Sequence, residues 1–298
     1  MAWARAGRMQ GHFGMLLCLS AAWAAAAAGA QVPAACPPAS EVPRLAPRSA
    51  VAGAGRLLSG CVVRDLEAGR WLAARQRLEQ AQRGAIVLDG AERQAWDARI
   101  ARLDASRRID TGQWAALADE VVASEHALPW VGPLVRGVAA ARAAWAAQDP
   151  VLLARARDRL ADLEALALRA GPVSDEERAR LLVQGAIAGS QYEREEMQLL
   201  LAAAHDLEVR LASDDESRAP VVSARELEAD LLLVTDRYQA ASERYRELLQ
   251  DSPRRVQARI GLADAYRRLG HAKEADETLA QARALWADAD PDVRARLR

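Results

Sequence analysis

Three histidines follow the first thirty residues: His126, His205 and His271. None of them has another His or a Cys at the spacing of a zinc site, and the patterns H-x-x-x-H, C-x-x-C and E-x-x-H are absent. The chain also lacks the G-x-S-x-G nucleophile turn and a phosphate-binding loop. We therefore expect no metal site, no cofactor and no catalytic residue.

Glu216 is the one acidic residue that suggests an enzyme. The order Glu216-Ser217, then Pro220 and Ser223, resembles the start of the catalytic motif of soluble lytic transglycosylases, in which Glu216 would be the acid/base. A glutamate with that role needs an enclosed pocket that raises its pKa. Only residues 218–298 follow Ser217, and they contain no later Gly- and Gln-bearing motif of that family. The sequence therefore favours a protein that is not an enzyme.

The tryptophans suggest a different ligand. Six of them follow residue 30: Trp71, Trp96, Trp114, Trp130, Trp145 and Trp286. Exposed indole rings could stack on sugars, which would suit a carbohydrate-binding accessory of polysaccharide export or cell-wall remodelling. Most of the six lie on apolar stripes or at helix starts, a pattern that is more typical of core packing.

Composition predicts an all-α chain. Hydrophobic residues make up 51% of the 298 residues, but aromatics make up only 4%, because the apolar content is mostly Ala and Leu. These residues favour helix, whereas strand formers are scarce. Lys273 is the only lysine, so the other basic residues are Arg. The 40 basic residues are balanced by 41 acidic ones, and we therefore expect no nucleic-acid partner.

Two consecutive 34-residue units occupy residues 225–287. The first has Ala241, Tyr245, Leu248 and Pro253, and the second repeats the first three positions with Ala275, Leu279 and Ala282. The second unit also contains Leu262, Ala263, Tyr266 and Gly270. Together these residues resemble the tetratricopeptide repeat, in which each unit is a pair of antiparallel helices. The resemblance implies a right-handed α-solenoid that presents binding surfaces and rarely does chemistry.

Helical patterns continue upstream of these units. They predict twelve main helices, or about six hairpins, with weak copies of the repeat before residue 212. We expect a helix from Trp114 to Ser124. N-terminal caps are expected at five positions: Asp89, Asp149, Ser174, Ser223 and Asp290. A helical bundle in the first half is the alternative.

These patterns divide the chain into four segments. Residues 1–30 are a targeting segment, 31–48 a Pro-rich linker, 49–220 degenerate helical hairpins, and 221–298 two repeats with a C-terminal capping helix. The linker assignment depends on its prolines, which leave it unable to build a core.

The N-terminus has the order of a secretory signal peptide. Arg5 and Arg8 precede the nearly uninterrupted apolar stretch 13–30, which ends in Ala28-Gly29-Ala30. This pattern predicts cleavage before Gln31 and a periplasmic or secreted protein with no integral membrane span after cleavage. The stretch is also long enough for an uncleaved membrane anchor, which is the alternative.

Cysteine usage agrees with export. Cys18 lies in the targeting segment, so Cys36 and Cys61 remain as one possible disulfide in an oxidising compartment. The bridge would close a loop of about 25 residues, which corresponds to about 3 kcal/mol in the chain-entropy description.

The repeat resemblance also implies a partner-binding groove. The family's groove positions correspond here to Ser223, Asp230 and Val234, then Gln257, Asp264 and Arg268, and Glu226 and Arg267 are further candidates. Asp230 and Asp264 would repel a carboxylate. We therefore expect a scaffold in a cell-envelope complex whose partner is a basic or amphipathic protein segment.

Overall fold

The computed structural model describes residue 36 and residues 51–212 and 219–297. Within these ranges the secondary structure is helical, with no strand. Thirteen α-helices follow one another in the described ranges: α1 (Val51–Glu67), α2 (Trp71–Gly84), α3 (Gly90–Thr111), α4 (Trp114–Leu117), α5 (Val131–Ala147), α6 (Pro150–Ala170), α7 (Asp175–Ser190), α8 (Arg194–Leu211), α9 (Ala224–Val234), α10 (Tyr238–Asp251), α11 (Val256–Arg268), α12 (Ala272–Leu285) and α13 (Pro291–Arg294). None of the helices in these ranges combines the length and apolarity that a membrane span requires.

The helices form six consecutive hairpins, α1–α2 through α11–α12, followed by the short α13. In the hairpins other than α3–α4, each helix packs on its partner, and successive odd-numbered helices also pack on one another from α1 to α11. This is the packing of an α-solenoid, so the predicted all-α fold with about six hairpins is confirmed. The consecutive packing includes the first half of the chain, where a separate helical bundle was the alternative.

Side-chain caps start several helices where the sequence predicts them. The Ser174 hydroxyl accepts a hydrogen bond from the Glu177 N–H at 3.1 Å, and Ser223 accepts one from the Glu226 N–H at 3.4 Å. Asp149 accepts one from the Val151 N–H at 2.8 Å. These bonds satisfy N–H groups that lack a partner within the helix. The prediction was wrong for Asp89, whose side chain makes no capping bond to α3.

The two repeat units pack through small residues. Ala241 of α10 and Ala275 of α12 are buried, as are Tyr245 and Leu279. The Tyr245 ring lies against Gly261 of α11, where an added Cβ would come within 2.3 Å of the ring. A side chain at position 261 would therefore push the two hairpins apart.

The second hairpin is shorter than the sequence suggests. Helix α4 ends at Leu117 rather than Ser124, and an irregular segment leads to α5. The buried Asp104 carboxylate of α3 accepts a hydrogen bond from the Ala123 N–H at 3.0 Å and pairs with Arg107 and Arg108. This bond draws residue 123 toward α3, and it gives the backbone an acceptor outside a helix. The spacing of apolar residues in the sequence does not indicate such a contact.

The two ends of the helical array meet. A single core joins residues of α1, α2 and α3 with residues of α11, α12 and the segment that follows α12. The Trp71 and Trp286 rings pack edge to face with centroids 6.0 Å apart, and Trp286 Nε1 donates to the Glu67 carbonyl at 3.0 Å. Ala289, Val293 and Leu297 are buried as well. We call the contact of residues 286–297 with the α1–α2 hairpin the closing interface.

Asp290 shows how the closing interface is built. The sequence predicts that it caps α13, but its side chain makes no bond to that helix. Its Oδ2 instead accepts a hydrogen bond from the Leu72 N–H, in the first turn of α2, at 2.8 Å. The Asp290 N–H donates to the Gly69 carbonyl at 3.1 Å. Asp290 therefore caps a helix from the opposite end of the chain.

Replacement of Asp290 tests this cap. Asp290→Ala removes the acceptor of the Leu72 N–H, and we expect the free energy of unfolding in urea to fall by about 1 kcal/mol, the usual cost of losing an N-cap. The control is Asp288→Ala, because Asp288 is exposed on the same segment and is expected to change stability by less than about 0.5 kcal/mol. Equal effects of the two variants would contradict the cap.

Candidate partner-binding cavity

A central cavity of about 610 Å³ is lined by residues of all six hairpins. Helices α1, α3, α5, α9 and α11 each contribute residues to its lining. Its apolar wall includes Leu66, Ile109, Val138 and Leu227, and Trp114 contributes an indole ring. The volume falls in the usual range for ligand sites, about 300–1,000 Å³. The described part of the chain contains no group of three or more His, Cys, Asp or Glu residues that could hold a metal ion.

A charged cluster crosses the cavity from α9 to α3. Arg255, just before α11, donates from Nε to both oxygens of Glu226, at 2.9 and 3.0 Å. Its Nη2 lies 2.6 Å from Oδ1 of Asp110 at the end of α3. The Gln257 side chain adds a bond of 2.9 Å to the Asp110 carbonyl. The Ser223 cap fixes the first turn of α9 and so places Glu226 toward this cluster.

A second cluster joins α5 to α9 and α10. The Arg142 guanidinium donates to Oδ2 of Asp230 at 2.6 Å, and the Tyr245 hydroxyl donates to Oδ1 at 2.6 Å. Arg142 also lies over the Trp114 ring, 4.4 Å from its centroid. Helix α6, the second helix of the third hairpin, contributes no residue to these contacts. The Asp230 charge is thus neutralised inside the protein, so its predicted repulsion of a carboxylate ligand is weakened.

The surroundings shift the pKa values of these groups. Burial raises the pKa of Glu226; Arg255 opposes that shift, and the Asp230 and Asp110 carboxylates add to it, so the pKa stays above its ordinary value. Burial by itself lowers the pKa of Arg255, but Asp110 and Glu226 raise it above its ordinary value. Burial and the Asp230 carboxylate raise the pKa of Tyr245. Arg255 therefore remains charged and Tyr245 remains a hydrogen-bond donor.

The structure divides the six predicted groove residues into two groups. Glu226, Asp230 and Gln257 line the cavity. Asp264, Arg267 and Arg268 lie on α11 but do not line it. Arg268 is exposed, lies 3.8 Å from Asp264, and stacks 5.9 Å from the Tyr238 ring centroid. The six residues thus do not form one surface, and their role in binding stays a prediction.

Sequence reasoning missed four residues of the cavity as site residues: Asp110, Arg142, Trp114 and Arg255. Three of these lie in the first two thirds of the chain, far from the repeat units that predicted the groove. Only the pairing of distant hairpins brings them to Glu226 and Asp230. Arg255 lies only two residues before Gln257, which the sequence did indicate, but its partner Asp110 lies far from both repeat units.

The predicted disulfide, the role of Glu216 and the targeting segment all stay predictions. Cys61 is buried in the middle of α1, and its pairing with Cys36 stays a prediction. Glu216 and the targeting segment lie outside the described residues, so the acid/base comparison and the cleavage site are not addressed by the fold.

Comparison with known proteins identifies the C-terminal hairpins. A family profile described as the tetratricopeptide repeat matches residues 233–297. Residues 233–297 belong to the tetratricopeptide-repeat family. The match includes most of the two predicted units and the segment of the closing interface. No curated protein and no solved structure matches the chain.

The family assignment fits the geometry of the cavity. Helices α9 and α11 are the first helices of the two repeat hairpins, and both face the cavity. Glu226, Asp230 and Gln257 lie on these helices. The opposite wall, with Asp110 and Arg142, comes from hairpins outside the matched range, so the site belongs to the closed array rather than to the repeats alone.

Arg255 is the residue whose loss tests the cavity's charge balance. Arg255→Met leaves the Asp110 and Glu226 carboxylates without their cation, and we expect the free energy of unfolding at pH 7 to fall by about 3 kcal/mol. A carboxyl group whose pKa is raised in the folded state is destabilising above its unfolded pKa, about 4.5. The loss should therefore shrink as the pH falls toward that value.

Arg254→Met is the matched control, because the pair of Arg254 with Glu67 is largely exposed and such pairs contribute about 0–1 kcal/mol. Urea unfolding of both variants at pH 7 and pH 5 gives the comparison. A pH-independent loss in Arg255→Met, or an equal loss in Arg254→Met, would show that the two carboxylates do not depend on Arg255.

Proposed function

We propose that this protein is an exported, non-catalytic scaffold that holds a protein partner of a cell-envelope complex in its central cavity. Tetratricopeptide repeats support a role in protein–protein interaction. The observation that carries the proposal is the cavity itself: the first helices of both repeat hairpins face it, and residues of the other four hairpins complete its lining with apolar and charged side chains.

Export is supported by the sequence of the first thirty residues, with its basic start, apolar stretch and small-residue end. The same compartment would permit the Cys36–Cys61 bridge. If the signal is removed, 38 basic and 41 acidic residues remain, so the mature chain carries a net charge of −3. An envelope complex is the setting in which a mildly acidic exported scaffold meets its partners.

A carbohydrate ligand is the second candidate, and Trp114 is the observation that favours it. Four of the six tryptophans are at least nine-tenths buried, namely Trp71, Trp96, Trp130 and Trp286. Trp114 is half-buried and lines the cavity beside carboxylate and guanidinium groups, an arrangement that could stack on a sugar ring. Arg142 already covers the indole at 4.4 Å, which leaves less of its surface for a sugar.

Site-specific photocrosslinking in living cells tests the proposal. A photoreactive amino acid at Ser252, an exposed residue of the cavity lining, should capture a protein partner in the envelope fraction. The same amino acid at Leu168, which is 88% exposed on α6, is the control and should capture little of that partner. The mature protein recovered in this fraction should begin at Gln31.

Two outcomes would contradict the proposal. Equal capture of the same proteins from Ser252 and Leu168 would mean that the cavity is not the binding site, and recovery of an uncleaved chain from the cytosol would exclude export. Quenching of indole fluorescence by purified glycan, lost in Trp114→Phe, would favour the carbohydrate candidate instead.

A further inference from the structure

Helix α6 has a second apolar side that faces solvent. The helix packs on α5 and α7, and Ala156, Leu163 and Ala167 are its buried residues. On the outward side Val151 is 59% exposed. Leu168 is 88% exposed, the highest value for a large apolar side chain in the described ranges. Apolar side chains that share an exposed face indicate an interaction surface.

The outward residues of α6 follow a seven-residue period. They recur at alternating intervals of three and four residues, and all six are exposed: Val151, Ala154, Asp158, Ala161, Ala165 and Leu168. We call this set the α6 seam. Alternation of three and four is the spacing by which two helices pack along a common seam in a coiled coil. The pattern therefore favours another helix as the occupant of this face.

The charges beside the α6 seam select a second copy of the chain as that helix. Arg155 and Asp162 lie on one flank of the seam, and Arg157 and Glu164 lie on the other; all four are exposed. When two copies of α6 pack antiparallel, each flank meets the same flank of the other copy. Arg155 then faces Asp162, and Arg157 faces Glu164, twice each because the contact is symmetric. Every flanking pair therefore joins opposite charges.

Asp158 sets the direction of the two helices. It is the one charged residue of the α6 seam. In a parallel arrangement the Asp158 carboxylates of the two copies would lie against each other, which is repulsive. In the antiparallel arrangement Asp158 lies opposite Ala161, and Val151 lies opposite Leu168. The seam therefore favours the antiparallel direction.

The flanking charges can exchange their present partners for those of a second copy. Within one chain Arg155 pairs with Asp119, and Asp162 pairs with Arg159. Both pairs lie on the surface, and exposed pairs of this kind contribute little to stability. Their loss is therefore a small cost when the same charges pair across a dimer.

We propose that the protein forms a dimer in which the α6 helices of two copies pack antiparallel along the α6 seam. Residues of the seam do not line the cavity, so the dimer does not depend on the proposed function. Helix α6 has 21 residues and is about 30 Å long. Contact through one helix from each copy is at the low end of specific interfaces, and we expect a dissociation constant of roughly 10–100 µM.

Sedimentation equilibrium of the full mature chain tests the dimer. Over concentrations that span the expected dissociation constant, the wild-type chain should pass from monomer to dimer. Leu168→Asp places a carboxylate in the seam of both copies and should raise the dissociation constant at least about tenfold. Arg246→Glu is the control for charge reversal, because Arg246 is exposed on α10 and its replacement should leave the dissociation constant unchanged.

A pair of charge reversals tests the antiparallel arrangement. Arg157→Glu and Glu164→Arg each place like charges opposite one another in a homodimer, so each should weaken association about tenfold or more. An equimolar mixture of the two variants should regain the wild-type dissociation constant, because each new charge then meets an opposite charge. In a parallel dimer Arg157 would face Asp162 instead, so the mixture would stay weak.

Several results would overturn the proposal. One is a wild-type chain that stays monomeric well above the expected dissociation constant. Another is dimerisation that neither Leu168→Asp nor Arg157→Glu weakens, which would place the interface elsewhere. Failure of the mixture to recover would exclude the antiparallel arrangement. All substituted residues are exposed, and circular dichroism of each variant checks that the fold is retained.

Photocrosslinking at Leu168 identifies what covers the seam and separates this proposal from the scaffold. The photoreactive amino acid should link Leu168 to a second copy of the chain, whatever protein Ser252 captures. Links from Leu168 to residues 31–50 of its own chain, or only to a different protein, would mean that another occupant covers the seam and would overturn the dimer.

Discussion

The contact between the two ends of the helical array is the constraint on which the rest of the structure depends. A solenoid of hairpins leaves an unpaired apolar face at each end, and most such arrays need a polar capping unit there. Here the last repeat and the segment after it cover the first hairpin, so each end covers the other. Trp286 fills this contact, and its indole N–H satisfies the Glu67 carbonyl. The interior of the closed array becomes the cavity.

Closure also explains the unusual charge content of the interior. Asp110 and Arg255 belong to the second and sixth hairpins, and their ion pair exists only because the ends meet. Burying charges is costly unless they are paired, and the cavity pairs most of its groups. The pKa of Glu226 is nevertheless raised, because burial and the neighbouring Asp230 and Asp110 charges outweigh the effect of Arg255. The charged lining of the cavity therefore depends on closure.

Much of the fold could be predicted from the sequence, because its signals are local. The 34-residue period, the Ala and Leu content and the caps at Ser174 and Ser223 each concern residues within one hairpin. The half of the candidate groove on the repeat helices was found in the same way, through Glu226, Asp230 and Gln257. The opposite wall could not be found, because nothing near Asp110 or Arg142 indicates which later helix will face it.

Asp290 shows the limit most clearly. An Asp directly before a Pro at the start of a helix usually caps that helix. The sequence therefore predicted that Asp290 caps the helix that begins at Pro291. The carboxylate instead caps α2, whose first turn is more than two hundred residues earlier in the chain. Local rules identify a residue that is able to cap a helix, but tertiary packing decides which helix receives it. The early end of α4 has a similar cause in the bond from the Ala123 N–H to Asp104.

Amide hydrogen exchange at Leu72 tests closure most directly. An N–H in the first turn of a helix has no acceptor within that helix, so its protection must come from elsewhere. Gln239 holds the same position in α10 and has no such acceptor among the described residues, and it serves as the reference. Closure predicts that the Leu72 and Asp290 amides exchange as slowly as the amides inside α9, while Gln239 exchanges rapidly. Rapid exchange of Leu72 and Asp290 under conditions in which α9 stays protected would show that the ends do not meet in solution.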